Sequence, residues 1–329
     1  MNPQPLGRRQ RRVAARRVRR RVWLAVVVVV AGAIAMIPYP DLVVGGLVPQ
    51  VQAVAWVAML ALALAAVVSA AFRAWAAAVV IAVAAVIGTA PLLVPPGGTS
   101  CAAGSELGVF SLNVELAQAD LDAVVAEVTE RAPEVVVLLE VDEPMISAFQ
   151  ATAIGSRYTS RTGPVSDGYA GSVILSTLPL TEVEGPEDPS AFDQPVARVD
   201  LPDREQAVIA AVHPYPPVRG SADRWQRSLR LLGAWHRDVL APHLVMAGDF
   251  NAGTAHPAFR SLAGGLDHAA AASGWWPMPT WPATGPVPPF ANIDHVLTRG
   301  TQATSFDRID IPGTDHLAVA TTLRLCRGS

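Results

Sequence analysis

Leu244-Val245-Met246-Ala247-Gly248-Asp249-Phe250-Asn251 (LVMAGDFN) is the stretch on which the reading of this chain turns. Leu244–Ala247 is an apolar run of strand length, closed by a glycine. Beyond it Asp249 and Asn251 stand two residues apart, and in extended chain residues i and i+2 share a face. Phe250 then points the other way, into packing. An apolar strand that delivers a carboxylate and an amide together at its end is a place where a ligand can be held.

The same arrangement recurs on both sides. Leu107–Val114 alternates as a strand and carries Asn113 at its end, Val135–Leu139 is a continuous apolar run followed by Glu140, and Ala207–His213 ends on His213. Ser172–Ser176 and Val196–Leu201 read as further strands, with three more near 293–298, 303–311 and 317–325. Asp120–Arg131 has helical spacing and stops before Pro133. Ser221–Leu240 reads as a helix, with Ser221 as its N-cap and Asp223 in its first turn. No internal repeat is present. Strands interleaved with few helices imply stacked sheets flanked by helices. Carboxylates, amides and imidazoles gathered above an apolar sheet form a ligand set suited to Mg²⁺ or a similar hard cation.

Asp-His pairs occur at 267–268, 294–295 and 315–316. Adjacent side chains on a strand face opposite sides, so Asp294 is assigned to the site and His295 to a structural or exposed position. Asp267-His268 follows two glycines and reads as a surface turn. Asp315-His316 follows Gly313-Thr314, where a loop enters the last strand, and reads as functional. Glu115 and the acids of Glu182–Asp188 read as a solvated face. Trp275, Trp276 and Trp281 lie in a Pro-rich loop that either grips a ligand beside the site or is simply packed.

The N-terminal third is of another kind. Trp23–Tyr39, Val54–Phe72 and Trp75–Val94 are uncharged apolar runs near membrane-spanning length, the last two separated only by Arg73 and Ala74. A cleaved signal peptide is the alternative for the first run. Nine of the 25 basic residues, all Arg, lie in residues 8–21, which places the N-terminus in the cytoplasm and, after three crossings, residue 97 onward outside. From residue 101 the chain carries 15 Arg against 27 acids, a formal balance of −12. Such a domain has no electrostatic footprint for a long polyanion, which counts against duplex DNA. Cys101 and Cys326 flank this domain; in an exported domain they would form a bridge, and otherwise they are two free thiols. The division expected is a basic tail (1–22), three transmembrane helices (23–96), a linker (97–106) that includes much of the turn-rich Pro95–Ser100, and a soluble domain (107–329).

Leu112-Asn113, Leu139-Glu140, the Gly171–Ser176 run, Val212-His213, Gly248–Asn251, Ile293–Leu297 and Thr314–His316 occur in the order in which the endonuclease/exonuclease/phosphatase superfamily carries such motifs. The soluble domain resembles that superfamily, the deoxyribonuclease I-like fold, over essentially its whole length. The resemblance implies a four-layer sandwich, two mixed sheets face to face with helices outside, and divalent-metal hydrolysis of phosphate esters. It implies that Glu140 is a metal-site carboxylate supported by Asn113, with Asp315 near the metal or phosphate. Asp249 and Asn251 resemble the pair that orients water and phosphate, His316 the catalytic histidine, Asp294 its orienting carboxylate, and His213 a donor to a phosphate oxygen. Whether Asp249 or His316 is the base stays open. Mg²⁺ is the implied cofactor, with Mn²⁺ or another divalent cation possible. Family members often carry Arg after the Ile-Leu-Ser strand and a basic residue before the Ile-Asp pair; this chain has Thr177-Leu178-Pro179 and Asn292. With the −12 balance, these departures favour a small or lipid-borne ester over a nucleic acid. The expectation is a membrane-anchored extracytoplasmic phosphodiesterase or phosphatase. An extracytoplasmic nuclease and a non-catalytic ligand-binding scaffold are the alternatives.

Overall fold

The computed structural model describes residues 8–94, 98–101, 103–166, 168–188, 192–274 and 276–326; Trp275, the first residues of the basic tail and Pro95–Gly97 lie outside them. The chain divides into two compact units, Met1–Pro40 with Val54–Leu92, and Asp41–Ala53 with Leu93–Ser329.

The smaller unit contains α1 (Arg8–Ala35), α3 (Ala55–Ala71) and α4 (Trp75–Thr89). Among the described residues one helix, Trp75–Leu92 including a closing 3-10 turn, is long and apolar enough to cross a membrane. Val44–Ala53 with Ala55–Ala71 meets the same criterion only as a broken pair. The three transmembrane helices expected from sequence are therefore corrected to one such helix, or two if the pair counts. The reason lies in α1. Its arginine-rich first half is helical too, and its uncharged part, Val22–Ala35, ends before Pro38 and Pro40. At 1.5 Å per residue that part is roughly 20 Å long, short of a hydrocarbon core of roughly 30 Å.

In the larger unit, Asp41–Ala53, which contains α2 (Leu47–Ala53), lies with the C-terminal domain rather than with the helices that flank it in sequence. Asp41 accepts from Gln226 (2.7 Å) and Arg230 (3.0 Å), and the Pro49 carbonyl lies 2.9 Å from His256 Nε2.

The domain itself is two six-stranded sheets. One has the order β11 (Thr301–Asp310), β12 (Leu317–Leu325), β1 (Glu106–Asn113), β2 (Val135–Leu139), β4 (Ser172–Ser176), β3 (Ser160–Arg161). The other has the order β5 (Leu180–Glu182), β6 (Val196–Asp200), β7 (Gln206–Val212), β8 (Leu244–Asp249), β10 (Asp294–Arg299), β9 (Asp267–His268). Each sheet has one parallel pair at its centre, β1–β2 and β7–β8, and is antiparallel elsewhere. Alternation along β2 shows how the layers arise. Val135, Val137 and Leu139 enter a core shared with Ala197, Ile209, Ala211 and Val245 of the second sheet. Val136 and Leu138 face outward onto α5 (Leu121–Arg131) and α6 (Glu143–Gln150) through Val124, Val128, Ile146 and Phe149. The second sheet is covered by α7 (Ala222–Asp238) and α8 (Pro257–Ala263) through Trp225, Leu229, Phe259 and Leu262. A β2 buried on both faces is why its sequence reads as an unbroken apolar run. The result is an α/β sandwich of four layers.

Cys101 and Cys326 are bridged across 225 residues, with Cα atoms 5.4 Å apart, tying the approach to β1 to the exit from β12. Two local expectations change. Ser221 does not cap α7, because its hydroxyl donates to the Pro216 carbonyl (2.6 Å) instead. Asp267-His268 is no surface turn: it forms β9 on β10, leads into α9 (Ala269–Ala272), and its imidazole is buried. Asp120 does cap α5, accepting from the amides of Asp122 and Ala123.

Candidate active site

The strand ends converge. In the parallel register of β1 and β2, Asn113 lies beside Leu139, so Asn113 and Glu140 leave the sheet at the same edge. In the antiparallel register of β8 and β10, Asp249 and Asp294 are direct partners. His213 follows β7, and His316 immediately precedes β12. All six open onto one side of the sandwich, where a cavity of about 530 Å³ is lined by Glu140, His213, Asp249, Asn251, His316 and Trp281 among others.

The backbone is forced here. Gly248 has φ +145°, and a Cβ would lie 2.2 Å from the Val212 carbonyl oxygen, so only glycine lets β8 approach β7 at this point. Glu140 (φ +56°) and Asn251 (φ +49°) adopt left-handed conformations that side chains other than glycine rarely take. Such conformations persist when the surroundings hold them, and they cluster at functional sites.

Hydrogen bonds fix the floor. Asn113 Nδ2 donates to Glu140 Oε1 (2.9 Å) and more weakly to Asp249 Oδ2 (3.4 Å). The Asn251 amide donates to Asp249 Oδ1 (2.7 Å), and its side chain to the Pro214 carbonyl (3.1 Å). Both oxygens of Asp294 face His316 Nδ1, at 3.1 and 3.0 Å, which leaves Nε2 directed at Asp249 Oδ2 (3.8 Å) and Asp315 Oδ1 (3.6 Å). Thr314 Oγ1 donates to the Asn113 carbonyl (2.8 Å) and accepts from the His316 amide (3.2 Å), joining the last loop to the first strand. His295, on the opposite face of β10, is buried against Phe250 and Phe259 with Nε2 2.8 Å from the Ala252 carbonyl.

Electrostatics follow from burial and crowding. Desolvation raises the Asp249 carboxyl to about 7, opposed by His316 and reinforced by Asp294. Burial alone would keep His316 neutral, but Asp294, Asp249 and Asp315 outweigh it and push the imidazole up to about 10. Burial raises Glu140 despite the bond from Asn113. His213, 1% exposed, is lowered to about 3 by burial and stays neutral, with Nε2 3.7 Å from Glu140 and Nδ1 without a partner.

These residues suit a cation. Ligand atoms of Asp249, Asp294 and His316 lie within 4.8 Å of one another. Glu140 adds a hard oxygen that burial disfavours as a bare anion. Of the metal residues expected, Glu140 and Asn113 are bonded to each other, and Asp315 turns Oδ1 toward His316 Nε2 (3.6 Å). Its carboxylate accepts from Trp281 Nε1 (2.7 Å), and its amide donates to Glu115 Oε2 (2.7 Å).

Glu115 and Trp281 are thus part of the site, and Glu115 is corrected from a solvated face: desolvation and then Asp315 raise its carboxyl. Its spacing of two from Asn113 was the available signal. Trp276 is packed against the core and against His268. Phe192 and Tyr215, also on the cavity, carried no sequence signal.

Residues 110–316 match the Endonuclease/Exonuclease/phosphatase family. No curated protein matches the sequence. Among solved structures, the chain is similar to D. rerio TDP2 complexed with single strand DNA product, at 15% identity and TM-score 0.55 over 67% of this chain and 99% of that one. It is similar to the 3′ phosphatase NExo from Neisseria bound to product DNA hairpin, at 15% identity and TM-score 0.52 over 65% and 98%. An endonuclease/exonuclease/phosphatase family protein from Bacteroides thetaiotaomicron gives 14% identity and TM-score 0.54 over 67% and 98%. At such identities the likeness is one of fold.

Proposed function

The chain belongs to the Endonuclease/Exonuclease/phosphatase family, and from that premise we propose that it is a Mg²⁺-dependent phosphodiesterase or phosphatase, anchored in the cytoplasmic membrane, with its larger unit on the extracytoplasmic face. The observation that carries the chemistry is the line Asp294–His316–Asp249 beside the Asn113–Glu140 pair, with Glu140, Asp249 and His316 lining one cavity.

Glu140, with Asn113 in support, would hold the cation, which supplies charge neutralisation to a phosphate whose own charge repels nucleophiles. Asp294 fixes the orientation of His316 and favours its charged form, so Nε2 donates to a phosphoryl oxygen. Asp249, raised toward neutrality, is matched to taking a proton from water at Oδ2. His213 stays neutral and offers a nitrogen to the phosphate, and Asn251 pins the Asp249 carboxylate through its amide.

Location is supported by two features: the Arg-rich start and the bridge between Cys101 and Cys326. A reporter active only after export, fused after residue 100, is expected to be active; an inactive fusion contradicts the orientation. The substrate panel is full-length protein in detergent with bis-p-nitrophenyl phosphate, phospholipids, inositol phosphates and DNA, each with Mg²⁺ and with EDTA. Mg²⁺-dependent turnover of a diester or monoester other than DNA is expected. Turnover of DNA alone would favour the nuclease reading, and no metal-dependent turnover would leave a binding scaffold.

A further inference from the structure

The cavity has a second end. From His213 on the floor an aromatic ladder leads outward: Phe192 lies 4.7 Å from the imidazole, and Tyr215 lies 4.1 Å from Phe192. The guanidinium of Arg224 sits over Tyr215, 4.1 Å from its centroid. Arg224 and Arg219 both line the cavity. Two aromatic rings therefore stand between His213 and the Arg224 guanidinium.

Charge distinguishes the rim from the floor. The domain carries a formal −12, and Arg131, Arg161, Arg198, Arg230 and Arg324 each pair with a carboxylate. Among the described residues Arg219 and Arg224, like Arg157, Arg204, Arg227 and Arg237, pair with none, and these two line the cavity. Stacking on Tyr215 orients the Arg224 fork while leaving its N–H donors available, the arrangement in which Arg takes a planar or tetrahedral oxyanion. A cavity of about 530 Å³ also exceeds what one phosphodiester group fills.

We infer that this cavity takes two anionic groups of one substrate, the scissile phosphate on the strand-end floor and a second phosphate on Arg219 and Arg224 at the rim. The inference rests on the phosphoesterase reading and narrows it: the substrate class is a phosphodiester bearing a further phosphate.

The test compares bis(glycerophospho)glycerol, with two phosphodiesters, against glycerophosphoglycerol, with one, using full-length protein in detergent with Mg²⁺. Wild type is expected to prefer the former in kcat/KM. The double variant Arg219→Gln/Arg224→Gln is expected to lower that preference about tenfold, the loss of one charge-assisted hydrogen bond. High salt should narrow the gap in wild type. The same comparison with cardiolipin and phosphatidylglycerol vesicles separates the sources. A preference in both formats means that a free second phosphate suffices, and a preference in vesicles alone means that a lipid headgroup is required. A preference that the double substitution leaves unchanged in both formats overturns the subsite while the phosphoesterase reading stands. If no compound is turned over, that reading fails instead. Calorimetric titration of bis(glycerophospho)glycerol then decides the subsite: weaker binding to the variant sustains it, and equal binding overturns it.

Discussion

On the floor of the cavity, Asp249, Asp294, His213 and His316 are each 6% exposed or less and placed at strand ends, and Asp249, Asp294 and His316 are held by hydrogen bonds to one another or to the backbone. On the rim, Val218 and Tyr169 are 43% and 59% exposed, Arg219 and Arg224 are also exposed, and Arg224 stacks on Tyr215. The floor is thus made of groups whose position is decided when the two sheets form. The rim is made of loop residues and the first turn of α7, whose side-chain positions depend on local contacts. Chemistry belongs to the first region and substrate choice to the second, so damage to the two should separate in kcat and in selectivity.

The sharpest way to break the comparison is on the floor. His316→Ala removes the donor that Asp294 orients and should lower turnover about a thousandfold, or ~4 kcal/mol, with little change in which substrate is preferred. If preference changes as much as rate, the division between floor and rim fails. Next is Gly248→Ala, whose Cβ meets the Val212 carbonyl oxygen at 2.2 Å. A loss of about 3 kcal/mol in unfolding free energy is expected, measured by denaturant titration, because backbone rather than a flexible side chain must move. Trp281→Phe, which joins the two regions through Asp315, should cost about tenfold in rate or less, since Asp315 keeps its backbone bond to Glu115.

The cation fit gives a stability test. Without metal, Asp249 contributes stability below the ordinary carboxylate range that is lost as pH rises through about 7. His316 contributes below its usual imidazole value, and that contribution is lost as pH rises through about 10. Both terms weaken the metal-free protein as pH rises. A cation held at Glu140 disfavours the protonated forms of that carboxylate and its neighbours, so added Mg²⁺ should raise Tm more at pH 8 than at pH 5. An equal shift at both values would place the cation elsewhere.

Much of the floor was legible in the sequence because each contributing residue ends an apolar strand, and a two-residue period assigns faces without tertiary information. Asp294 and His295 separate on this ground alone. The rim was not legible. Phe192, Tyr215 and Arg224 meet only through folding, from a loop, a turn and a helix start with no shared spacing. Glu115 was misread because Glu115, Leu116 and Ala117 take successive left-handed conformations (φ +45°, +56° and +59°), a turn that no glycine or asparagine announces. His268 was misread because β9 gains its place from pairing with β10, and two residues carry too little pattern to show it. In the N-terminal unit, composition identified apolar runs but not where each helix stops, so the count of spans was too high.

The central claim is that the Asn113–Glu140 pair and the Asp249–His316–Asp294 line form one cation-dependent hydrolytic site. Its most direct measurement is the rate of bis-p-nitrophenyl phosphate hydrolysis against Mg²⁺ concentration, for wild type and Glu140→Gln. The account predicts a saturable Mg²⁺ dependence abolished by EDTA, with half-saturation moved at least about tenfold higher in the variant through loss of a charged ligand. A rate independent of Mg²⁺, or a half-saturation unchanged by Glu140→Gln, would contradict it.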